Sequence, residues 1–157
     1  MKVVGNGQIR FHGADDERPH APGEHPQWQE SFVLMVWDTA REVYAFLRVS
    51  QVPHKDGGTG TAWLNIWGPG FQYKNTNVAL PLKPSDRSAD SLTVGGGLCS
   101  YRYDGDHHWS LRDPGADVSA QLVFHDAHQG MSFYGDASAH FVSETVASHV
   151  EGSGRVT

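Results

Sequence analysis

The chain has a single cysteine, Cys99, in 157 residues, so no intrachain disulfide is available to brace it. Cys99 sits in "GGGLCSYRY" and reads as a small hydrophobe on a strand. Cationic residues are also scarce: 12 Lys and Arg against 18 Asp and Glu leave a formal net charge of −6. Binding to a nucleic-acid backbone needs a basic surface that releases counterions, so nucleic acid is not an expected partner. No run of about 18 apolar residues is present, and "MKVVGNGQIRF" lacks a signal-peptide core. The expectation is a cytoplasmic chain that does not enter a membrane stably. Catalytic signatures are missing too. "GGTGTAW" is not followed by Gly-Lys-Ser/Thr, "GNGQIRFHG" does not join a strand to a helix, and neither Gly-x-Ser-x-Gly nor His-Glu-x-x-His occurs. No organic cofactor is implied.

What the chain does contain is strand material. It has 18 glycines, 8 prolines and many Val, Thr, Phe, Tyr and Trp residues, a composition that favours β structure. Residues 1–27 read as an irregular lead-in. From residue 28 onward, short apolar runs such as "QESFVLMVWD", "EVYAFLRVSQ", "TGTAWLNIWG" and "ADVSAQLVFH" alternate with turn punctuation such as Lys55-Asp56-Gly57-Gly58, Gly68-Pro69-Gly70 and Asp104-Gly105-Asp106. Almost no 3.6-residue periodicity interrupts them, which predicts an all-β antiparallel domain over 28–157, a barrel or a strongly curved sandwich. Residues 126–140 read as a loop, and 141–149 as extended chain rather than helix. The last stretch, "HVEGSGRVT", looks like an unfinished strand that something must pair.

Ten histidines raise the question of metal. His107 and His108 are adjacent, so on a strand they point to opposite faces and do not share an ion readily. His125 and His128 flank a turn but lack evident further ligands. Hydrogen-bonded or surface histidines are the expectation, with no metal site.

The strand faces carry more information. In "TAWLNIWGPG", Ala62, Leu64 and Ile66 fall on one side and Trp63, Asn65 and Trp67 on the other. In "EVYAFLRVSQ", Tyr44, Phe46 and Arg48 share a side opposite Val43, Ala45, Leu47 and Val49. An aliphatic face backed by an aromatic one with a few polar groups is the lining that a small-molecule site requires. Trp63, Asn65 and Trp67 are therefore candidate wall residues, Tyr44, Arg48 and Tyr101 candidate substrate contacts, and Glu30 and His108 candidate proton-transfer residues. Plain packing of the aromatics is the competing reading.

"HPQWQESFVLMVWD", "REVYAFLRVSQVPHKDGG", "TAWLNIWGPG" and the terminal "HVEGSGRVT" together resemble the N-terminal half of the tandem lipocalin-like proteins related to carotenoid 1,2-hydratase (hydroxyneurosporene synthase) and to AttH-like proteins. The shared features are Trp-x-Glu-Ser before an aromatic strand and Glu-x-x-Gly-Arg-Val near the junction of the halves. The resemblance implies a lipocalin-like β-barrel that forms one half of a tandem architecture and acts on a lipophilic molecule without a cofactor. It further implies that the acid–base residues of the hydratases lie mainly in the other half. On this reading the aromatic face and the last strand are covered by a second lipocalin-like half, in a separate chain or a second copy. Two functions are then expected. One is a subunit of a hydratase/dehydratase, isomerase or lyase acting on an aromatic or isoprenoid substrate; the other is a non-catalytic binding or structural subunit.

Overall fold

Alternation of apolar and polar residues, cut by tight turns, folds this chain into antiparallel hairpins. The computed structural model describes residues 9–11, 13–127, 131–138, 141–147 and 150–157, with the side-chain surroundings of 13–127, 152 and 155–157. The strands are β1 (Ile9–Phe11), β2 (Glu30–Asp38), β3 (Val43–Val52), β4 (Thr59–Gly68), β5 (Phe71–Pro81), β6 (Ser91–Val94), β7 (Cys99–Tyr103), β8 (His107–Asp113), β9 (Val118–Asp126), β10 (Met131–Ser138), β11 (Phe141–Ala147) and β12 (Val150–Val156). Between β4 and β5 the chain reverses at Pro69-Gly70, where Gly70 takes φ +80°. That left-handed conformation carries no steric penalty only for a residue without a Cβ. The same device joins β7 to β8 at Gly105, φ +114°, in the expected hairpin.

Three sheets result. β2-β3-β4-β5 is a simple meander, β12-β9-β8-β7-β6 forms a second sheet, and β1-β10-β11 a third. The inward residues of the first two sheets interdigitate in one core. Leu47, Val49, Ala62, Leu64 and Ile66 from one side and Leu92, Val94 and Cys99 from the other are fully buried. Phe32 on β2 stacks on Tyr101 of β7 with ring centroids 4.2 Å apart. The Tyr73 hydroxyl and the Asn75 amide on β5 both donate to Asp113 on β8, each over 2.8 Å. Among the described residues no strand pairing closes the two large sheets into a barrel, and their face-to-face packing is that of a β-sandwich.

Several expectations change in the folded chain. Residues 126–140 contain strand β10, not only a loop, and Ile9–Phe11 in the lead-in is its partner. Pairing between segments more than a hundred residues apart leaves no local signature. The last strand, Val150–Val156, pairs along its length with β9 of the same chain and forms the outer edge of its sheet. Extended structure over Phe141–Ala147 agrees with the sequence reading. His128 lies outside the described residues.

Candidate functional site

The outer face of the β2–β5 sheet is built by register. Pairing sets Trp37 beside Tyr44, Tyr44 beside Trp67 and Trp67 beside Gln72 in one cross-strand row. The next row is Met35, Phe46, Asn65 and Lys74, and the third is Val33, Arg48, Trp63 and Thr76. Because side chains alternate, Leu34, Ala45, Leu47, Leu64 and Ile66 go to the core and these rows go outward. The outcome is an open apolar plate: Trp37 is 64% exposed, Met35 53% and Val33 48%, with Tyr44, Trp67 and Trp63 between 36% and 40%. Clustered apolar exposure of this kind marks an interaction surface, unlike scattered single residues.

Five residues singled out from the sequence, Tyr44, Arg48, Trp63, Asn65 and Trp67, meet on this plate. Trp37, Met35, Val33 and Phe46 complete it. The alternation in "SFVLMVWD" could have flagged the first three, but both parities of that strand are apolar and only the fold selects the outward one.

The plate is electrostatically lopsided. None of the residues in its three rows is acidic, although the chain as a whole is acidic. Arg48 occupies its interior, with its guanidinium carbon 5.0 Å from the centroid of the Trp63 ring, in cation–π range. Its Nη2 donates to Ser31 Oγ over 3.0 Å. Its Nε is buried with no hydrogen-bond partner, and among the described residues neither Arg48 nor Lys74 makes an ion pair.

The remaining candidates lie elsewhere. Glu30, on the inward side of β2, accepts from the His20 backbone N–H, lies 2.6 Å from His20 Nδ1 and accepts from Gln51 Nε2 over 2.7 Å. Arg87 in turn donates to Gln51 Oε1. This carboxylate ties the lead-in to the sandwich. His108 points outward from the opposite sheet, half-buried, with Nε2 2.8 Å from Asp104 Oδ1. Glu30 and His108 share no hydrogen-bond partner and belong to different sheets, so the structure does not join them into one acid–base pair. Tyr101 is in the core, 2% exposed, apart from the plate residues.

Around Tyr101 runs a polar chain that the sequence reading did not assemble. Its hydroxyl donates to the Glu17 carbonyl over 2.7 Å and sits 3.1 Å from His107 Nδ1; His107 Nε2 lies 3.0 Å from Asp126 Oδ1. Burial pushes the Tyr101 phenol well above the ordinary range, with the nearby Glu17 carboxylate adding to the effect. His107 and His108 do take opposite faces, and only the inward one joins this chain. No cluster of three or more metal-ligating side chains occurs among the described residues. Two open grooves of about 390 and 410 Å³ lie at loop ends of the sandwich, one lined by Pro26, Gln27, Gln29, Val52, His54 and Lys55. Neither includes a residue of the plate or of the Tyr101 chain.

A family model described as "Domain of unknown function (DUF7064)" matches residues 13–157, and the chain belongs to that family. No curated protein and no solved structure matches it.

Proposed function

Taking the chain as a DUF7064 domain, we propose that it binds a lipophilic small molecule on the outer face of β2–β5, and that a second β-domain closes over that face in the working assembly. The observation that carries this is the plate itself, four strands wide, aromatic and without a carboxylate in its three rows. Burial of apolar surface contributes roughly 25 cal/mol per Å², so covering about 300 Å² would yield about 7.5 kcal/mol before ordering costs. A flat plate cannot by itself enclose a ligand to the extent that small-molecule sites do, which is why the reading includes a cover. The resemblance to tandem lipocalin-like proteins supplies its expected kind, a second half of similar architecture.

Trp37, Trp63 and Trp67 face outward while Trp109 is 3% exposed, so a ligand on the plate changes the emission of the first three. Titration with retinol as an apolar probe should shift and quench that emission. A Trp63→Phe, Trp67→Phe double variant should lose most of the response. Unchanged emission at saturating probe removes the reading.

The buried Tyr101–His107–Asp126 chain favours a second reading, in which the domain is a cofactor-independent, cytoplasmic subunit supporting hydratase, isomerase or lyase chemistry by proton transfer. Glu30→Gln and His108→Asn test the two residues chosen from the sequence. Turnover lower by roughly 100-fold with ligand binding intact supports proton transfer through the residue changed, and unchanged turnover removes that residue from the mechanism.

A further inference from the structure

Resting on the plate as a ligand-binding face, we propose that the ligand is a lipophilic carboxylic acid whose carboxylate is taken by Arg48. The chain is acidic overall, yet it withholds every carboxylate from these rows and sets a guanidinium among aromatic rings. The cation–π contact with Trp63 and the bond to Ser31 Oγ hold the guanidinium in place. A planar fork fixed in this way matches a carboxylate bidentately, and a flexible ammonium does not. Of the five N–H donors that an arginine carries, one is used among the described residues, and the buried Nε has no partner among them. A neutral ligand laid over the plate would remove water from the remaining donors and return no acceptor. A carboxylate supplies acceptors and charge together.

The count of cations sets the charge of the ligand. The other basic residue in the three rows, Lys74, stands on β5, two strands from Arg48 and beyond Asn65, so the socket offers one fixed guanidinium. That suits a monoanion better than a phosphate dianion, which gathers several donors. A second copy of this chain fits poorly, because an isologous contact made by this face would bury two Arg48 and two Lys74 with no acid among the row residues. The hydrocarbon of an acid held at Arg48 can run over Phe46 toward Trp67 and Tyr44, which are its neighbours in register.

Dodecanoate, its methyl ester and dodecanol, titrated at equal ionic strength below micelle formation and read by equilibrium dialysis, separate the possibilities. Dodecanoate should bind roughly tenfold or more tightly than either neutral probe, the scale of a charge-assisted hydrogen-bonded pair. Arg48→Met should abolish that preference by weakening dodecanoate while the ester binds at least as well as before, since no guanidinium is left to desolvate, and Arg112→Met, the same charge change on the exposed side of the other sheet, should leave the preference intact. Equal affinity for all three probes overturns the carboxylic-acid assignment and leaves the binding face standing. Binding of none of them overturns both. A chain that sediments as a dimer through this face, with probes excluded, also overturns both.

Discussion

The Tyr73 hydroxyl donates to Asp113 Oδ2 over 2.8 Å, and the two residues belong to facing sheets. Asn75 donates to the same oxygen, so one carboxylate bolts β5 to β8. Removing it strands a buried phenol donor, and Asp113→Ala should cost about 1–3 kcal/mol in urea unfolding. The Asn75 bond, then the Tyr73 bond, hold the Asp113 carboxyl below the ordinary carboxylate range. A group depressed in the folded state stabilises above its unfolded pKa, about 3.9, and that contribution disappears as pH falls through the folded value. The stability gap between the wild type and Asp113→Asn should therefore be constant near neutrality and shrink below about pH 4. A gap that widens on acidification contradicts the assignment.

Cys99 is fully buried between the sheets, and burial pushes its thiol up to about 12. Thiolate is the reactive form, so the native chain should resist a disulfide reagent such as Ellman's and react stoichiometrically in denaturant. Rapid labelling of native protein would show that β7 opens readily.

Trp37 and Trp109 are the same residue type in opposite situations, 64% and 3% exposed. Trp109→Ala should destabilise by about 3–5 kcal/mol, whereas Trp37→Ser should change stability by less than about 0.5 kcal/mol and weaken probe binding. Equal losses of stability in calorimetry would mean that the plate is part of the core.

A Cβ at Gly152 would fall on the Val123 carbonyl oxygen and the Phe124 Cα, backbone atoms of the paired strand. Gly152→Ala should accordingly loosen β12 from β9, with faster amide exchange concentrated along Val118–Asp126. Exchange unchanged there would show that the strand pair absorbs the methyl group.

Much of this architecture is legible in the order of residues. The alternation in "TAWLNIWGPG" already separates an aliphatic side from an aromatic one, and the turns at Gly68-Pro69-Gly70 and Asp104-Gly105-Asp106 already mark hairpins. These signals are local: period-two geometry and left-handed turn residues act within a few positions of the chain. That is why the sequence alone marks Tyr44, Arg48, Trp63, Asn65 and Trp67 as a group.

What depends on distant contacts was not legible. Tyr101 resembles a wall aromatic in the sequence, but only packing against Phe32 and the Glu17 carbonyl places it in the core. His107 rather than His108 joins a buried polar chain because β8 presents its odd-numbered residues to the interior. Ile9–Phe11 finds β10 across most of the chain, and β12 finds β9. Alternation tells a strand that its two sides differ. Which side is buried, and which strand lies beside it, is settled by the area of apolar surface that the assembled sheets can remove from water.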